Sequence, residues 1–211
     1  MNDCGCAIEV RDLSQTRVLI WLLAINAGMF VVELALGWYA QSSGLIADSV
    51  DMLADAVVYG IGLYAVGKAT ERKAHAALIS AGFQALLGAL ILLDILRRAW
   101  FGSEPLSLLM MVVGLAALLA NGVCLMLIQR HKDGEVHMRA SWIFSKNDVI
   151  ANLGVILGGG LVWLSGSRWP DLVIGTLIAL LILRGARHIV RDARRELSGK
   201  GRSRCPDECS G

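Results

Sequence analysis

Three aspartates, Asp48, Asp51 and Asp55, interrupt an otherwise apolar stretch that runs from Leu45 to Val66. In a helix, Asp51 and Asp55 are about one turn apart and share a face, and Asp48 lies on nearly the same stripe. A single carboxylate at the centre of a membrane costs about 2.5–3.5 kcal/mol on insertion scales. Three of them on one stripe therefore need a partner that offsets their charge. The simplest partners are a metal cation, a proton or a basic side chain.

A second polar stripe lies further along the chain, where Asp148 and Asn152 are four residues apart and Ser145 precedes Asp148 by three. Two helices that each present oxygen atoms at this spacing can form a four-coordinate site between them. Oxygen ligands alone favour hard or borderline divalent cations over soft ones. The alternative is a structural role, in which the aspartates pair with Lys146 or form hydrogen bonds between helices.

The composition predicts that both stripes lie in a membrane. The 211 residues are 55% hydrophobic, with a mean hydropathy of +0.59 and three prolines. Apolar runs close to the roughly 20 residues of a spanning helix recur along the chain. They predict an all-α, polytopic protein with six transmembrane helices, at about 18–40, 44–67, 76–96, 108–128, 140–164 and 171–188. No basic stripe with interleaved aromatic residues is present, so the expected partner is the lipid bilayer and not a nucleic acid.

The positive charges predict the orientation, because lysine and arginine concentrate in cytoplasmic segments. Six spans place both termini on one side, and most of the 20 lysines and arginines fall in segments on that side. Arg97, Arg98 and Arg168 fall on the other side. We therefore expect a cytoplasmic tail at 1–16, a six-span domain at 17–190 and a basic cytoplasmic tail at 191–211, with no cleaved signal peptide and no separate soluble domain.

Further carboxylates are expected near such a site or at the membrane surface. Glu33, Asp48 and Asp171 are interpreted as proton-coupling or hydrogen-bond network residues, with Asp48 near the mouth of its span. Asp171 also suits the N-terminus of the sixth helix, where a negative charge is favoured. Asp94, which precedes Arg97 by three residues, is expected to be an interfacial charge.

The terminal cysteines could form a second, cytoplasmic metal site. Cys4 and Cys6 lie in the first tail, and Cys205 and Cys209 lie in the last one, on the same predicted side. Four thiolates on two tails can bind a metal ion. The alternatives are ordinary reduced cysteines or a redox pair.

The order of these motifs resembles the cation diffusion facilitator family. Asn26 to Glu33 (NAGMFVVE), followed by Ser43 to Asp55 (SGLIADSVDMLAD), is similar to the first two spans of that family. Ser145 to Leu157 (SKNDVIANLGVIL) is similar to the fifth span, and Trp169 to Gly175 (WPDLVIG) to the start of the sixth. The similarity covers most of residues 18–190.

The resemblance implies a homodimeric metal–proton antiporter of a bacterial inner membrane, with Asp51, Asp55 and Asp148 among its metal ligands. It implies Zn²⁺ as the first expectation for the cargo, with Fe²⁺, Mn²⁺, Co²⁺ and Cd²⁺ left open, and no resident cofactor. The sequence departs from the family pattern in two ways. Phe144 stands where a further ligand is usual, so Asn152, Ser145 or water would complete the shell. The family's cytoplasmic C-terminal domain is also expected to be missing, which makes this a short form.

Three functions follow from these residues. The first is export of a divalent metal cation from the cytoplasm in exchange for protons. The second is a non-transporting or regulatory, metal-sensing membrane protein with a degenerate cation site, which the phenylalanine at position 144 favours. The third is a membrane enzyme that uses the aspartates with a metal. It is the weakest, because no nucleophile or histidine–carboxylate pair accompanies them, and the protein is expected not to be an enzyme.

Overall fold

Six α-helices make up the part of the chain that the computed structural model describes, which comprises residues 6–65, 70–129 and 136–198. These residues contain no β-strand. The helices are α1 (Cys6–Tyr39), α2 (Ser43–Ala65), α3 (Thr70–Phe101), α4 (Ser107–Gln129), α5 (Val136–Ser165) and α6 (Trp169–Leu197). The all-α architecture and the number of helices confirm the prediction.

Five of these helices are long and apolar enough to cross a membrane. The exception is α2, whose apolar sequence carries the three aspartates. Most helices are longer than the predicted spans: α3 ends at Phe101 and α6 at Leu197. An apolar run marks only the part of a helix that lies in hydrocarbon, whereas backbone hydrogen bonding continues into the polar layer.

The helices are arranged around α2. Neighbouring helices pack as the pairs α1–α2, α3–α6 and α4–α5, and α2 contacts each of the other five. This central position confirms the expectation that a helix with several carboxylates faces the interior of the bundle and not the lipid. The lipid-facing sides of the other helices carry exposed leucines and aromatic residues, such as Leu86, Leu157 and Trp21.

Two apolar clusters form the core. The larger cluster lies towards the end of the bundle that carries the three short turns, which we call the outer end, following the charge prediction. It includes Leu45, Val50, Met110 and Val155. The smaller cluster lies towards the inner end and contains Leu19, Leu22, Tyr59, Cys124 and Ile128.

Buried polar side chains of α1, α2, α4 and α5 lie along the helices between these clusters. They include Asn26, Glu33, Asp48, Asn121 and Asn152. The apolar clusters hold the helices together, and the polar layer lies buried between them.

The outer end is closely tied together. The α1–α2 turn passes through Gln41, which has a left-handed φ of 51°. The Gln41 carbonyl accepts a hydrogen bond from the Arg98 guanidinium, and Arg98 Nε also donates to Asp94 Oδ2 at 2.5 Å. Arg97 pairs with Asp94 as well, at 2.7 Å. Asp94 is therefore ion-paired with Arg97 and Arg98 at the outer end of α3, and its position at the membrane interface stays a prediction.

Asp171 lies in the first turn of α6, at the predicted place. Its buried carboxylate also accepts hydrogen bonds from Ser42 Oγ at 2.6 Å, Ser43 N at 2.7 Å and Gly44 N at 2.9 Å. It thus caps the N-terminus of α2, where backbone N–H groups lack partners within the helix. The sequence did not identify the N-terminus of α2 as the partner of Asp171, because the packing decides which helix end lies beside it.

Gly175 allows this contact. A Cβ at this position would lie 2.9 Å from the backbone carbonyl group of Ser43, closer than real side chains come. Because α6 has only a hydrogen atom there, it can approach the start of α2 one turn after Asp171. The WPDLVIG segment therefore holds the outer end of α2 against α6.

Candidate cation site

A cavity of about 330 Å³ opens between α2 and α6 in the inner half of the bundle. Asp51, Asp55 and Asp148 all contribute to its wall. The other lining residues come from α2, α3, α5 and α6 and include Gln84, Asn147, Arg184 and His188. The helices α2 and α6 thus touch at the outer end and are separated at the inner end, where the predicted carboxylates face the space between them.

The structure brings carboxylates from two helices together. Asp55 and Asp148 are nearly buried and lie side by side within hydrogen-bonding range. Asp51 is half-buried, and its carboxylate lies close enough to both of them for charge–charge repulsion. Within the described residues, however, no three Asp, Glu, His or Cys side chains lie close enough to surround one ion. The arrangement is an acidic cavity whose carboxylates must move closer together to surround a cation.

Tyr59 extends this group and was not singled out from the sequence. Its buried hydroxyl donates a hydrogen bond to Asp55 Oδ2 at 3.1 Å and lies 3.3 Å from Ser145 Oγ. Tyr59 is four residues after Asp55, so the same helical spacing that related the aspartates could have identified it. Ser145, predicted as a weaker ligand, is linked to Asp55 by the Tyr59 hydroxyl, which lies within hydrogen-bonding distance of both side chains.

Asp48 belongs to a different, fully buried group. Asn152 Nδ2 donates to Asp48 Oδ2 at 2.6 Å, and Asn121 Nδ2 donates to Asn152 Oδ1 at 2.9 Å. Both polar atoms of the Asn152 amide thus have protein partners, and Asn152 is not part of the cavity wall. This supports the network interpretation of Asp48 and not a position at the mouth. Asn152, the other residue predicted as a weaker ligand, therefore lies outside the cavity wall, beside Asp48.

Glu33 completes this buried group from α1. Its side chain has no solvent exposure and lies beside Asp48. Neither of its oxygens has a hydrogen-bond donor among the described residues. The proton-coupling or network role of Glu33 therefore stays a prediction.

Several predicted features lie outside the described residues or away from the cavity. Cys4, Cys205 and Cys209 are not described, and neither is the side chain of Cys6, so the second metal site stays a prediction. The Phe144 side chain is likewise outside the described part of α5. Lys146 is described and is exposed.

Gln84, Arg184 and His188 also lie at the cavity and had no predicted site role. Gln84 Nε2 donates to the Ala54 carbonyl at 3.3 Å, which ties α3 to the helix of the aspartates. Arg184 and His188 lie one turn apart on α6 and reach the cavity because α6 faces α2. Nothing in the sequence indicated that Gln84 lies at the site. It is a single polar residue in an apolar run, and only the packing decides which helix it faces.

Comparisons with known proteins agree with the resemblance. Residues 19–198 match the family model described as the cation efflux transmembrane domain. The zinc transporter ZitB of Yersinia pseudotuberculosis is 26% identical over 205 residues, covering 90% of this chain and 65% of the relative. The cadmium, cobalt and zinc/H(+)-K(+) antiporter of Bacillus velezensis is 22% identical over 194 residues, covering 85% of this chain and 62% of the relative.

A third relative is the metal cation efflux system protein CzcD of Cupriavidus metallidurans, 27% identical over 179 residues, which cover 79% of this chain and 57% of the relative. The chain thus spans less than two thirds of the length of each of these three relatives. The apolar helices and the bacterial relatives together show a multi-pass protein of a bacterial inner membrane.

Proposed function

The chain belongs to the cation efflux family, and on this premise we propose that it transports a divalent metal cation out of the cytoplasm. The observation that carries the proposal is the acidic cavity, in which Asp51, Asp55 and Asp148 face one space from two different helices. Carboxylates inside a membrane bundle are costly unless they bind something. Three of them around one cavity suit a doubly charged ion.

The shape of the bundle supports a route for the ion. The outer ends of α2 and α6 are joined by the Asp171 cap, whereas their inner halves enclose the cavity. With the inner end towards the cytoplasm, a cation reaches the carboxylates from inside. Release to the other side then requires the helices to part at the outer end and to close at the inner end, as in alternating access.

Exchange with protons follows from the chemistry of the ligands. Carboxylates bind a metal cation in their deprotonated form, so metal and protons compete for the same oxygens. Protons that reach the site from the outer side would displace the metal and leave the carboxyl groups neutral for the return step. The name of the Bacillus velezensis relative, which includes H(+), supports proton exchange.

Zn²⁺ is the proposed cargo. It is supported by the names of the relatives from Yersinia pseudotuberculosis and Bacillus velezensis, both of which include zinc. The described cavity wall offers three carboxylates, with His188 further along it. An all-oxygen set also accepts Fe²⁺, Mn²⁺ and Co²⁺, and Cd²⁺ is a further candidate because the second relative's name includes cadmium. We further propose a homodimer, which rests on the family resemblance alone.

Transport can be tested with the purified protein in liposomes. An imposed pH gradient, acidic inside the vesicles, is expected to drive Zn²⁺ uptake through wild-type protein. Asp51→Asn and Asp148→Asn should reduce uptake to that of empty liposomes, because each removes one carboxylate from the cavity wall. Metal binding should be measured by calorimetry on the same preparations.

The matched control is Glu104→Gln, which removes a carboxylate from the exposed outer loop, and it should transport like wild type. Uptake that is unaffected by either aspartate variant would contradict the proposal. If wild-type protein binds Zn²⁺ but does not transport it in any gradient, the regulatory, metal-sensing alternative is correct instead.

A further inference from the structure

Five arginines form a continuous stripe on the inner half of α6. Arg184, Arg187, Arg191, Arg194 and Arg195 are all exposed. At about 100° per residue they fall within an arc of roughly 100° around the helix axis. No other described helix carries such a run of exposed arginines on one face. We call this surface the arginine stripe.

The packing of α6 fixes the direction in which the arginine stripe points. Ile182, Ala186 and Ala193 lie on the opposite side of the helix and are buried. Because α6 packs along α3, this buried side faces the bundle and the stripe faces away from it, except at Arg184, which borders the cavity. Rotation of α6 to hide the arginines would expose the buried side, so the orientation is set by the core.

The length of α6 places the arginine stripe at the membrane surface. The helix has 29 residues, or about 43 Å at roughly 1.5 Å per residue, whereas the hydrocarbon layer is about 30 Å thick. Trp169, exposed at the first residue of α6, marks the outer interface, as aromatic side chains commonly do. Arg187 lies roughly 27 Å along the axis from Trp169, and Arg191 roughly 33 Å. These arginines therefore reach the headgroup layer of the opposite leaflet.

The first member of the stripe also belongs to the candidate cation site. Arg184 lines the same cavity as Asp51, Asp55 and Asp148. A positive guanidinium at this position repels an approaching divalent cation, and the neighbouring arginines add to the repulsion. An anion beside these arginines would reduce the repulsion.

We propose that the arginine stripe binds the phosphate groups of anionic phospholipids in the inner leaflet, and that these lipids offset the positive charge at the entrance of the cation cavity. Guanidinium groups suit phosphate because their planar N–H donors match two oxygens at once. Clusters of basic residues just inside a membrane span commonly bind anionic lipid headgroups. The lipid-binding claim stands on the stripe alone, whereas the claim about cation access rests on the proposed function.

The two claims are tested by separate measurements. Native mass spectrometry of the whole detergent-solubilised protein compares bound phosphatidylglycerol with bound phosphatidylcholine at equal concentrations. We expect a preference for phosphatidylglycerol that falls about fivefold for each arginine replaced in Arg187→Gln and Arg191→Gln. The control Arg97→Gln removes an arginine at the outer end, where 60% of its side chain is exposed, and should keep the preference.

An excess of inorganic phosphate separates a lipid site from a general anion site. It should leave the bound phosphatidylglycerol in place, because the site lies at the membrane surface. Equal binding of the two lipids, loss of the preference in Arg97→Gln, or displacement by phosphate would each overturn the lipid-binding claim.

Cation access is tested in nanodiscs of phosphatidylcholine with increasing phosphatidylglycerol, with the rate of Zn²⁺ binding as the readout. The rate should rise with the phosphatidylglycerol fraction in wild type, and the rise should be smaller in Arg184→Gln, which lacks the charge to be offset. A rise of equal size in Arg184→Gln would overturn the claim about access and would attribute the effect to the membrane surface alone. A protein that binds phosphatidylglycerol but no Zn²⁺ would contradict the proposed function and leave the lipid site intact.

Discussion

Tyr59 and Ser145 connect the carboxylates of the cavity to the surrounding core. The Tyr59 hydroxyl bridges between Asp55 of its own helix and Ser145 of α5. A donor of this kind holds a carboxylate in one orientation, so that its other oxygen remains directed to the cavity. Since Asp55 and Asp148 lie side by side, the orientation of one affects the other. Tyr59 is therefore expected to position the ligands without touching the ion.

Tyr59→Phe should weaken Zn²⁺ binding by roughly 10- to 100-fold, the usual loss when a hydrogen bond behind a metal ligand is removed. The aromatic ring remains in the inner apolar cluster, so the thermal stability should change little. Calorimetric titration of Zn²⁺ and thermal unfolding of the same sample separate the two effects. Tyr39→Phe, at an exposed position, serves as the control. An unchanged affinity in Tyr59→Phe would show that Asp55 needs no orienting donor.

At the scale of elements, α2 is held firmly at one end and borders a cavity at the other. Asp171 and the backbone approach at Gly175 hold its outer end, and a Cβ added at Gly37 of α1 would lie 2.9 Å from Leu45 Cβ. At the inner end, α2 faces the space that separates it from α6. A helix that is fixed at one end and borders a cavity at the other can tilt about the fixed end, which is the motion that the transport proposal needs.

Gly175→Ala should destabilise the protein by roughly 1–3 kcal/mol, because the added methyl group would overlap the Ser43 backbone, which cannot move aside without breaking the Asp171 cap. Thermal unfolding in detergent measures the loss. The control is Gly122→Ala in α4, where nothing lies within 4 Å of an added Cβ. Gly122→Ala should unfold at or above the wild-type temperature. If Gly175→Ala is as stable as Gly122→Ala, the close approach of α6 to α2 is not required for the fold.

For the molecule as a whole, the orientation in the membrane determines the direction of transport. The outer end carries a ring of exposed aromatic residues, Trp38, Trp100, Trp163 and Trp169, at the positions expected for a membrane interface. The arginine stripe lies at the opposite end. This polarity supports cytoplasmic termini by the positive-inside rule and, with them, a cavity that faces the cytoplasm.

Single cysteines can test this orientation in intact cells, in a background without the five natural cysteines. Glu104→Cys lies in the exposed α3–α4 connection at the outer end, and Ser198→Cys follows α6 at the inner end. A membrane-impermeant maleimide should label Glu104→Cys in intact cells and Ser198→Cys only after permeabilisation. The reverse labelling pattern would show that the bundle has the opposite orientation, with the cavity open to the outside of the cell.

Sequence alone determined the helices, their number, the central position of α2 and three of the residues that face the cavity, Asp51, Asp55 and Asp148. These features depend on hydrophobic period and on i, i+4 spacing, which are local properties of a helix. Which oxygens remain available to an ion depended on tertiary packing. The structure engages both ends of the Asn152 amide with Asp48 and Asn121, and directs Asp171 to the N-terminus of α2. Those partners lie on other helices, far away in the chain, and their pairing depends on how closely glycines such as Gly175 allow the backbones to approach.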